Sequence, residues 1–324
     1  MKALLEQTDR RLVTVGRLFY EHQLNKTDIA DRLNISVTHV NRLLKEAARR
    51  GIVEISIRAP RFEDLEMNLR ERYRLRDVRV VAAATDENST RSELGAAAAR
   101  YFDERVHDGA RVGLGSGRTL FEMASALSER PLSIELFPLA VFAEQTSQVS
   151  GVDSNTVVNI LWFKTRPGST AQRCTLYFPG DDVSALQEHV RSLTDTSHVR
   201  ALRARIAQLD YYFLSCAGLR SDSQLVALAK TNERSLDDFK ASGIIGDIVL
   251  NTIDANGEYC PSGVEAVLFN IGYDDLLAAA KSEEKTVVLI AGGRPKAPVI
   301  EAALRGRLLN VLITDSDTAQ ILLN

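Results

Sequence analysis

KTDIADRLNISVTHVNRLLKEAARRGI, residues 26–52, reads as two short helices joined by a tight turn. Thr27 can cap the first helix, and Ile29, Ala30 and Leu33 recur at helical spacing on its inner side. Asn34 stands where the chain must turn, and Asn tolerates the left-handed backbone better than most residues with a side chain. Ser36 can cap the second helix, which has an apolar face of Val40, Leu43, Leu44 and Ala47. Ala30, Asn34 and Val40 fit a helix-turn-helix: a small residue where helices touch, a turn former, and a branched apolar residue packing back. Such a second helix enters the DNA major groove with its N-terminal residues leading.

The outward positions of that helix are Ser36, Thr38, His39, Asn41, Arg42 and Lys45. Arg and Asn can grip guanine or adenine edges with two hydrogen bonds, so Arg42 and Asn41 are the base-reading candidates. Lys45, Arg49 and Arg50 are placed for phosphates, which fix register without carrying sequence information. The competing reading is an ordinary helical hairpin with a solvated basic face.

Charge is distributed as a DNA-binding head would need it. Residues 1–60 hold 11 Lys and Arg against 7 Asp and Glu, a balance of +4, so the rest of a chain whose total is −3 carries −7. The excess is modest, and tight binding would need more than one head per assembly. At 324 residues, with 45% hydrophobic and 26% charged side chains, the chain is long enough for more than one soluble domain. No apolar run is long enough to span a bilayer and the first residues lack an apolar signal core, which predicts a cytoplasmic protein. Cys174, Cys216 and Cys260 lie far apart and form no disulfide or zinc pattern, so neither a metal nor a cofactor is expected.

Working outward, residues 9–22 form a first helix with Leu12, Val15, Leu18 and Phe19 inward. Gly51 ends the helical pair, and residues 52–60 alternate as a strand, the wing of a winged helix. Residues 62–75 read as a linking helix with Phe62, Leu65, Leu69 and Tyr73 on one side, available for subunit contacts or for packing on its own domain. From residue 77 short apolar runs alternate with helices: 77–84, 110–115, 133–140, 210–218, 245–254, 285–293 and 310–315 read as strands. Helices are expected over 92–106, after Gly117 and over 155–163, and a strand over 173–179. The fold class is α/β: a small winged helix-turn-helix domain over 1–60, a linker helix over 61–76, and a Rossmann-like α/β domain with a mostly parallel sheet over 77–324.

That larger domain carries two glycine-rich turns between a strand and a helix. One is Gly113-Leu114-Gly115-Ser116-Gly117-Arg118-Thr119, and the other is Ala291-Gly292-Gly293-Arg294-Pro295-Lys296. Glycines let backbone N–H groups approach a ligand, a helix N-terminus favours an anion, and hydroxyls and cations add to the set. Neither turn matches a dinucleotide fingerprint or a P-loop. In an open α/β sheet ligands bind outside the carboxyl ends of strands, where both turns fall. Each could also be no more than a glycine-dependent tight turn.

Taken together, these stretches resemble the SorC family of bacterial sugar-responsive transcriptional regulators over nearly the whole chain. The resemblance is carried by ISVTHVNRLLKEAARRGIVEISIR (35–58), VGLGSGRTL (112–120), GIIGDIVLNTIDANG (243–257) and VVLIAGGRPKAPVIEAALRGRLLNVLITDSDTA (287–319). It implies an effector domain similar in fold to sugar-phosphate isomerases, deaminases and CoA transferases. Its implied partners are double-stranded operator DNA, a sugar or sugar-phosphate effector and further copies of the chain, with no membrane. The implied effector residues are Gly115, Ser116, Gly117, Arg118 and Thr119 on one side of a pocket, Asp247 for sugar hydroxyls, and Gly293 and Lys296 for an anionic group. Asn155 matches a family Asn at the start of a helix. The chain departs most over 141–180, including Trp162, Lys164, Arg166 and Arg173.

Two other function classes stay open at this level. An isomerase or deaminase carrying a DNA-binding head would need a general base near the sugar carbonyl. Asp247 is the one carboxylate the sequence places near the pocket, while His107, His189 and His198 fall in charged helical surroundings. A constitutive architectural DNA binder would have no use for two anion-type loops.

Overall fold

In the computed structural model of the protein, residues 2–53, 62–142, 152–174, 183–194, 196–221, 223–230 and 234–324 are described. The chain divides into two compact units, Met1–Ala59 and Pro60–Asn324.

The first unit is helical. Helix α1 (Lys2–Gly16) runs into a π-helical turn at Arg17–Glu21, earlier and longer than the 9–22 helix expected from sequence. Helix α2 (Lys26–Leu33) is capped by Asn25, not by Thr27: its carboxamide oxygen accepts from the amides of Thr27 and Asp28, both at 2.9 Å, so Thr27 is already inside the helix. Asn34 closes α2 in the left-handed conformation (φ 52°, ψ 51°), and Ser36 caps α3 (Val37–Arg49) by accepting from the His39 amide at 3.2 Å. Val15, Leu18, Ile29, Ala30, Val40 and Leu44 form the core. The expected wing strand falls mostly on residues 54–60, outside the described residues.

The second unit begins with α4 (Glu63–Tyr73), the expected linker helix, which packs on this unit itself. Leu69 is fully buried, the Glu66 carboxylate accepts from the Val80 amide at 2.8 Å, and the Tyr73 hydroxyl donates to the Leu322 carbonyl at 2.9 Å. There follow β1 (Asp77–Val81), α5 (Glu87–Arg105), β2 (Arg111–Leu114), α6 (Arg118–Ala126), β3 (Glu135–Pro138), β4 (Ala140–Phe142), α7 (Ser154–Thr165) and β5 (Thr170–Ala171). Then come α8 (Val183–Thr194), α9 (Ser197–Ile206), β6 (Tyr211–Leu214), β7 (Cys216–Gly218), α10 (Gln224–Lys230), α11 (Leu236–Ala241), β8 (Gly246–Ile248) and β9 (Asn251–Ile253). The chain closes with β10 (Leu268–Asn270), α12 (Tyr273–Lys281), β11 (Thr286–Ile290), α13 (Ala297–Arg305), β12 (Val311–Asp315) and α14 (Ser316–Leu323).

Seven strands make one parallel sheet in the order β1-β12-β11-β6-β2-β3-β5. Successive side chains of a strand point to opposite faces, and here both faces are apolar. Val287, Leu289, Leu312, Tyr212 and Leu214 enter one core, while Val288, Ile290, Ile313 and Phe213 enter the other. That two-sided burial is why the sequence shows continuous apolar runs in place of alternation. Helices α5, α6 and α7 cover the second face. Gly95 lets α5 lie against α6, since a Cβ there would stand 2.5 Å from that of Glu122. Helix α5 starts at Glu87 rather than at Ser92, because Asp86 accepts from the Asn88 and Ser89 amides and so caps it earlier.

Three strands expected from sequence take another form, and of these residues 210–218 divide into β6 in the main sheet and β7, which leaves it to pair antiparallel with β8. Residues 133–140 split, with β3 in the main sheet and β4 pairing antiparallel with β10. Residues 245–254 make the antiparallel hairpin β8–β9, paired on its other side with β7, in a separate three-stranded sheet. The strand expected over 173–179 lies mostly outside the described residues. Among the described residues, no helix is long and apolar enough to cross a membrane.

Phe102 of α5 is fully buried with its ring 5.4 Å from that of Phe213 in the middle of the sheet. Phe102→Ala should lower unfolding stability by about 3–5 kcal/mol, read as a shift of the denaturant midpoint at unchanged m-value. A loss under about 1 kcal/mol would show that this face collapses around the void.

Candidate functional site

The sheet order reverses between β2 and β6. Strands β2, β3 and β5 run outward in one direction, and β6, β11 and β12 in the other. At such a switch point the loops leaving the carboxyl ends part and leave a crevice. Here they enclose a cavity of about 740 Å³, within the usual size of small-ligand sites.

Its walls come from five strand ends. From β2 come Ser116, Gly117, Arg118 and Thr119. Gly117 has φ 115° and no side chain caps α6, so the helix N-terminus is left for a ligand. The Ser116 hydroxyl lies 3.1 Å from Oε1 of Gln224, whose buried Nε2 has no hydrogen-bond partner among the described residues. From β11 come Gly292, Gly293, Arg294 and Lys296. Asp315, buried at the end of β12, fixes this turn: one oxygen accepts from the Gly293 amide at 2.6 Å and from the Thr318 hydroxyl at 2.7 Å, and the other accepts from the Thr318 amide. Gly292 must be glycine, since a Cβ would stand 2.2 Å from that carboxylate. From β1 come Asp86, Glu87 and Arg91, and from the segments after β6 come Cys216 and Arg220. Burial pushes the Cys216 thiol up to about 11, which keeps it a neutral wall group.

Asp247 enters through the β8–β9 hairpin. Its two-residue loop, Val249-Leu250, has positive φ at both positions, 50° and 62°. That is the geometry of a type I′ turn, which ordinarily takes Asn-Gly, and a β-branched Val there is strained. Asp247 Oδ1 accepts from the Leu250 amide at 3.0 Å, and the Asn270 side chain donates to the Val249 carbonyl at 3.0 Å, so the turn is held from outside. Asp247 Oδ2 is buried without a partner among the described residues. Burial raises its carboxyl to about 7, against the lowering effects of the Leu250 amide and the Lys296 charge.

Of the effector residues expected from sequence, Ser116, Gly117, Arg118, Thr119, Asp247, Gly293 and Lys296 line this one cavity. Gly115 stands behind the wall, its amide donating to the Phe213 carbonyl. Asn155 does not line it: its side chain donates to the Cys174 carbonyl at 2.8 Å and accepts from the Cys174 amide at 3.3 Å. The residues that set this chain apart over 141–180 serve packing where they are described. The Trp162 indole donates to the Ser169 carbonyl, Lys164 caps the end of α6 through the Ser125 and Leu127 carbonyls, and Arg166 and Arg173 lie over the Phe163 and Trp162 rings. Sequence reading missed Glu87, Arg91, Arg220 and Gln224. The capping residue Asp86 marks the neighbourhood of Glu87 and Arg91, and no local signal marks Arg220 and Gln224. Among the described residues, no group of three or more His, Cys, Asp or Glu is placed to hold a metal ion.

In the first unit, Ser36, Thr38, Arg42 and Lys45 are exposed on α3, and His39 and Asn41 are half-buried. Arg42 Nη2 lies 3.2 Å from His39 Nε2, which orders the guanidinium along the helix. Arg49 and Arg50 both pair with Glu46, at 2.6 and 2.5 Å, and Arg50 also reaches Asp9 at 3.1 Å. These two arginines hold the Glu46 carboxyl down at about 2, and meeting a DNA phosphate would require them to leave it.

Residues 59–324 match the family model described as "Putative sugar-binding domain". The chain is similar to the deoxyribonucleoside regulator of Bacillus subtilis (strain 168), 29% identical over 318 residues and 96% of each chain. It is also similar to the sorbitol operon regulator of Klebsiella pneumoniae, 26% identical over 328 residues, covering 98% of this chain and 100% of that one. The crystal structure of the full-length regulator SorC from Klebsiella pneumoniae shares the fold, with a TM-score of 0.68 and 23% identity over 98% of this chain and 99% of that one.

The raised Asp247 carboxyl has a consequence for stability. An unfolded Asp loses its proton near 3.8 and the folded one near 7, so between these values the native state binds more protons and stability falls as pH rises. Asp247→Asn removes that slope. The variant should lose less stability than the parent between about pH 5 and about pH 8, by on the order of 1–3 kcal/mol in chemical denaturation. Equal losses would mean that Asp247 ionises without penalty.

Proposed function

This chain belongs to the SorC family of sugar-binding transcriptional regulators, and we propose that it controls a carbohydrate-utilisation operon through an effector held in the strand-end cavity. The observation that carries this reading is the cavity itself. Anion-type turns, an uncapped helix N-terminus and cations surround a buried carboxylate with one oxygen unused, a donor set suited to a sugar that bears a phosphate. Asp247 would accept from sugar hydroxyls, while Ser116, Gly117, Arg118, Thr119, Gly293 and Lys296 would hold the anionic end. Gly115 would support the turn from behind.

Residues 1–60 act in this reading as a winged helix-turn-helix, residues 61–76 as the linker helix, and residues 77–324 as the effector domain related to sugar-phosphate isomerases. Helix α3 reads operator DNA, with Arg42 and Asn41 on base edges and Ser36, Thr38, His39 and Lys45 beside them. Operators read by such heads are two-fold, so the working unit is at least a dimer in the cytoplasm. An effector that closes the cavity favours one arrangement of subunits in the assembly, and by reciprocity operator DNA changes effector affinity by the same factor. The relatives named above are regulators, which favours this reading over an isomerase or deaminase.

Fluorescence anisotropy on DNA from upstream of the protein's own operon, with a panel of sugars and sugar phosphates at fixed salt, tests the whole reading. Selective binding shifted by one sugar phosphate supports it. Consumption of a sugar phosphate without selective binding would put the enzyme reading first. In the same assay Arg42→Ala should cost about 1–3 kcal/mol and relax preference at one base pair, whereas a uniform loss over all sequences would mark a phosphate contact. Lys296→Ala should weaken a phosphorylated effector roughly tenfold more than its unphosphorylated form, the size of one lost charge-assisted contact. Equal weakening would make Lys296 structural.

A further inference from the structure

Three guanidinium groups from three separate segments converge on one carboxylate at the cavity wall. Glu87 Oε1 lies 3.0 Å from Arg91 Nη2 and 3.7 Å from Arg118 Nη2, and its Oε2 lies 3.5 Å from Arg220 Nη1. All four residues line the cavity, and the group adjoins the uncapped N-terminus of α6. One carboxylate with two oxygens thus serves three guanidinium groups. A phosphate monoester carries between about −1.5 and −2 near neutral pH and offers three strong acceptor oxygens, so it can engage these guanidinium groups better than a single carboxylate does. Arg91 is further held by Asn88 Oδ1 at 2.9 Å and is largely buried, so it cannot swing away. Arg118 and Arg220 are half-exposed and meet Glu87 only at long range, a geometry of weak pairs that a better anion can replace.

We propose that Glu87 is a resident stand-in for the effector's anionic group: it occupies the arginine cluster in the free protein and must yield Arg118 and Arg220 when a phosphate enters. This rests on the cavity being the site of an anionic effector, and it adds a specificity element. Ligands whose charge is too small to draw the arginines from Glu87 are rejected by competition from within the chain. The competitor is tethered, so its effective concentration is high and does not change with the surrounding solution.

The test uses the full-length protein and inorganic phosphate, titrated calorimetrically at constant ionic strength without DNA or sugar. Glu87→Gln keeps the shape and removes the charge, and Glu87 is half-exposed, so folding is not at stake. The variant should bind phosphate about three- to tenfold more tightly than the parent, the effect of freeing exposed ion pairs. Adding Arg118→Ala to it should abolish the gain. Glu104→Gln, which removes the same charge beside Arg79 and outside the cavity, should leave phosphate affinity unchanged. A gain below threefold, a gain that survives Arg118→Ala, or an equal gain from Glu104→Gln overturns the proposal. Since phosphate affinity is read without DNA, the regulator reading can fail in the anisotropy assay while this result stands, and the reverse.

Discussion

Parallel strands cannot be joined by hairpins, and each return must cross the sheet on a helix. Every carboxyl end of the seven strands therefore falls on one side of the unit, and the site follows from that constraint. Five strand ends deliver side chains to one volume without any single segment containing the site. The sheet tolerates this because its strands are apolar on both faces, leaving polarity to be concentrated in the loops. Asp315 joins the two levels. It is buried at the end of a core strand, and it sets the Gly293 turn while capping α14.

The legible parts of the sequence were those whose cause is local. Asn34 and Ser36 turn and cap the helical pair through contacts within a few residues, and the glycine turns after β2 and β11 announce themselves by composition. The β8–β9 hairpin was misread because its turn carries Val249-Leu250, where local chemistry asks for Asn-Gly; contacts from Asp247 and Asn270 override that preference. The arginine cluster was invisible for another reason. Its members sit at positions 87, 91, 118 and 220, and only the sheet topology brings them together. Asn155, matched by position, has its side chain bonded to the Cys174 backbone, a partner that its place at the start of a helix does not announce.

Electrostatically, the two units handle charge in opposite ways. On α3 the outward cations stand open to solvent, except where Glu46 gathers Arg49 and Arg50 at the far end of the helix. In the cavity the positive groups are kept within reach of carboxylates, Arg118 and Arg220 near Glu87 and Arg294 near Asp317. A surface that meets a polyanion benefits from unpaired charge and long-range steering. A chamber that must choose among small molecules benefits from charges already compensated, because selection then depends on what an entering group offers beyond the resident one.

The Val249-Leu250 turn bears on how such a protein can be modified. A search for thermal stability would favour replacing it with Asn-Gly, which relaxes the backbone at both positions. The same exchange would strip two apolar side chains from the chamber wall and loosen the loop that holds Asp247. Robustness and ligand recognition pull in opposite directions at this one dipeptide, so variants hardened by selection on heat alone should be found to have traded away their sensitivity to small molecules there first.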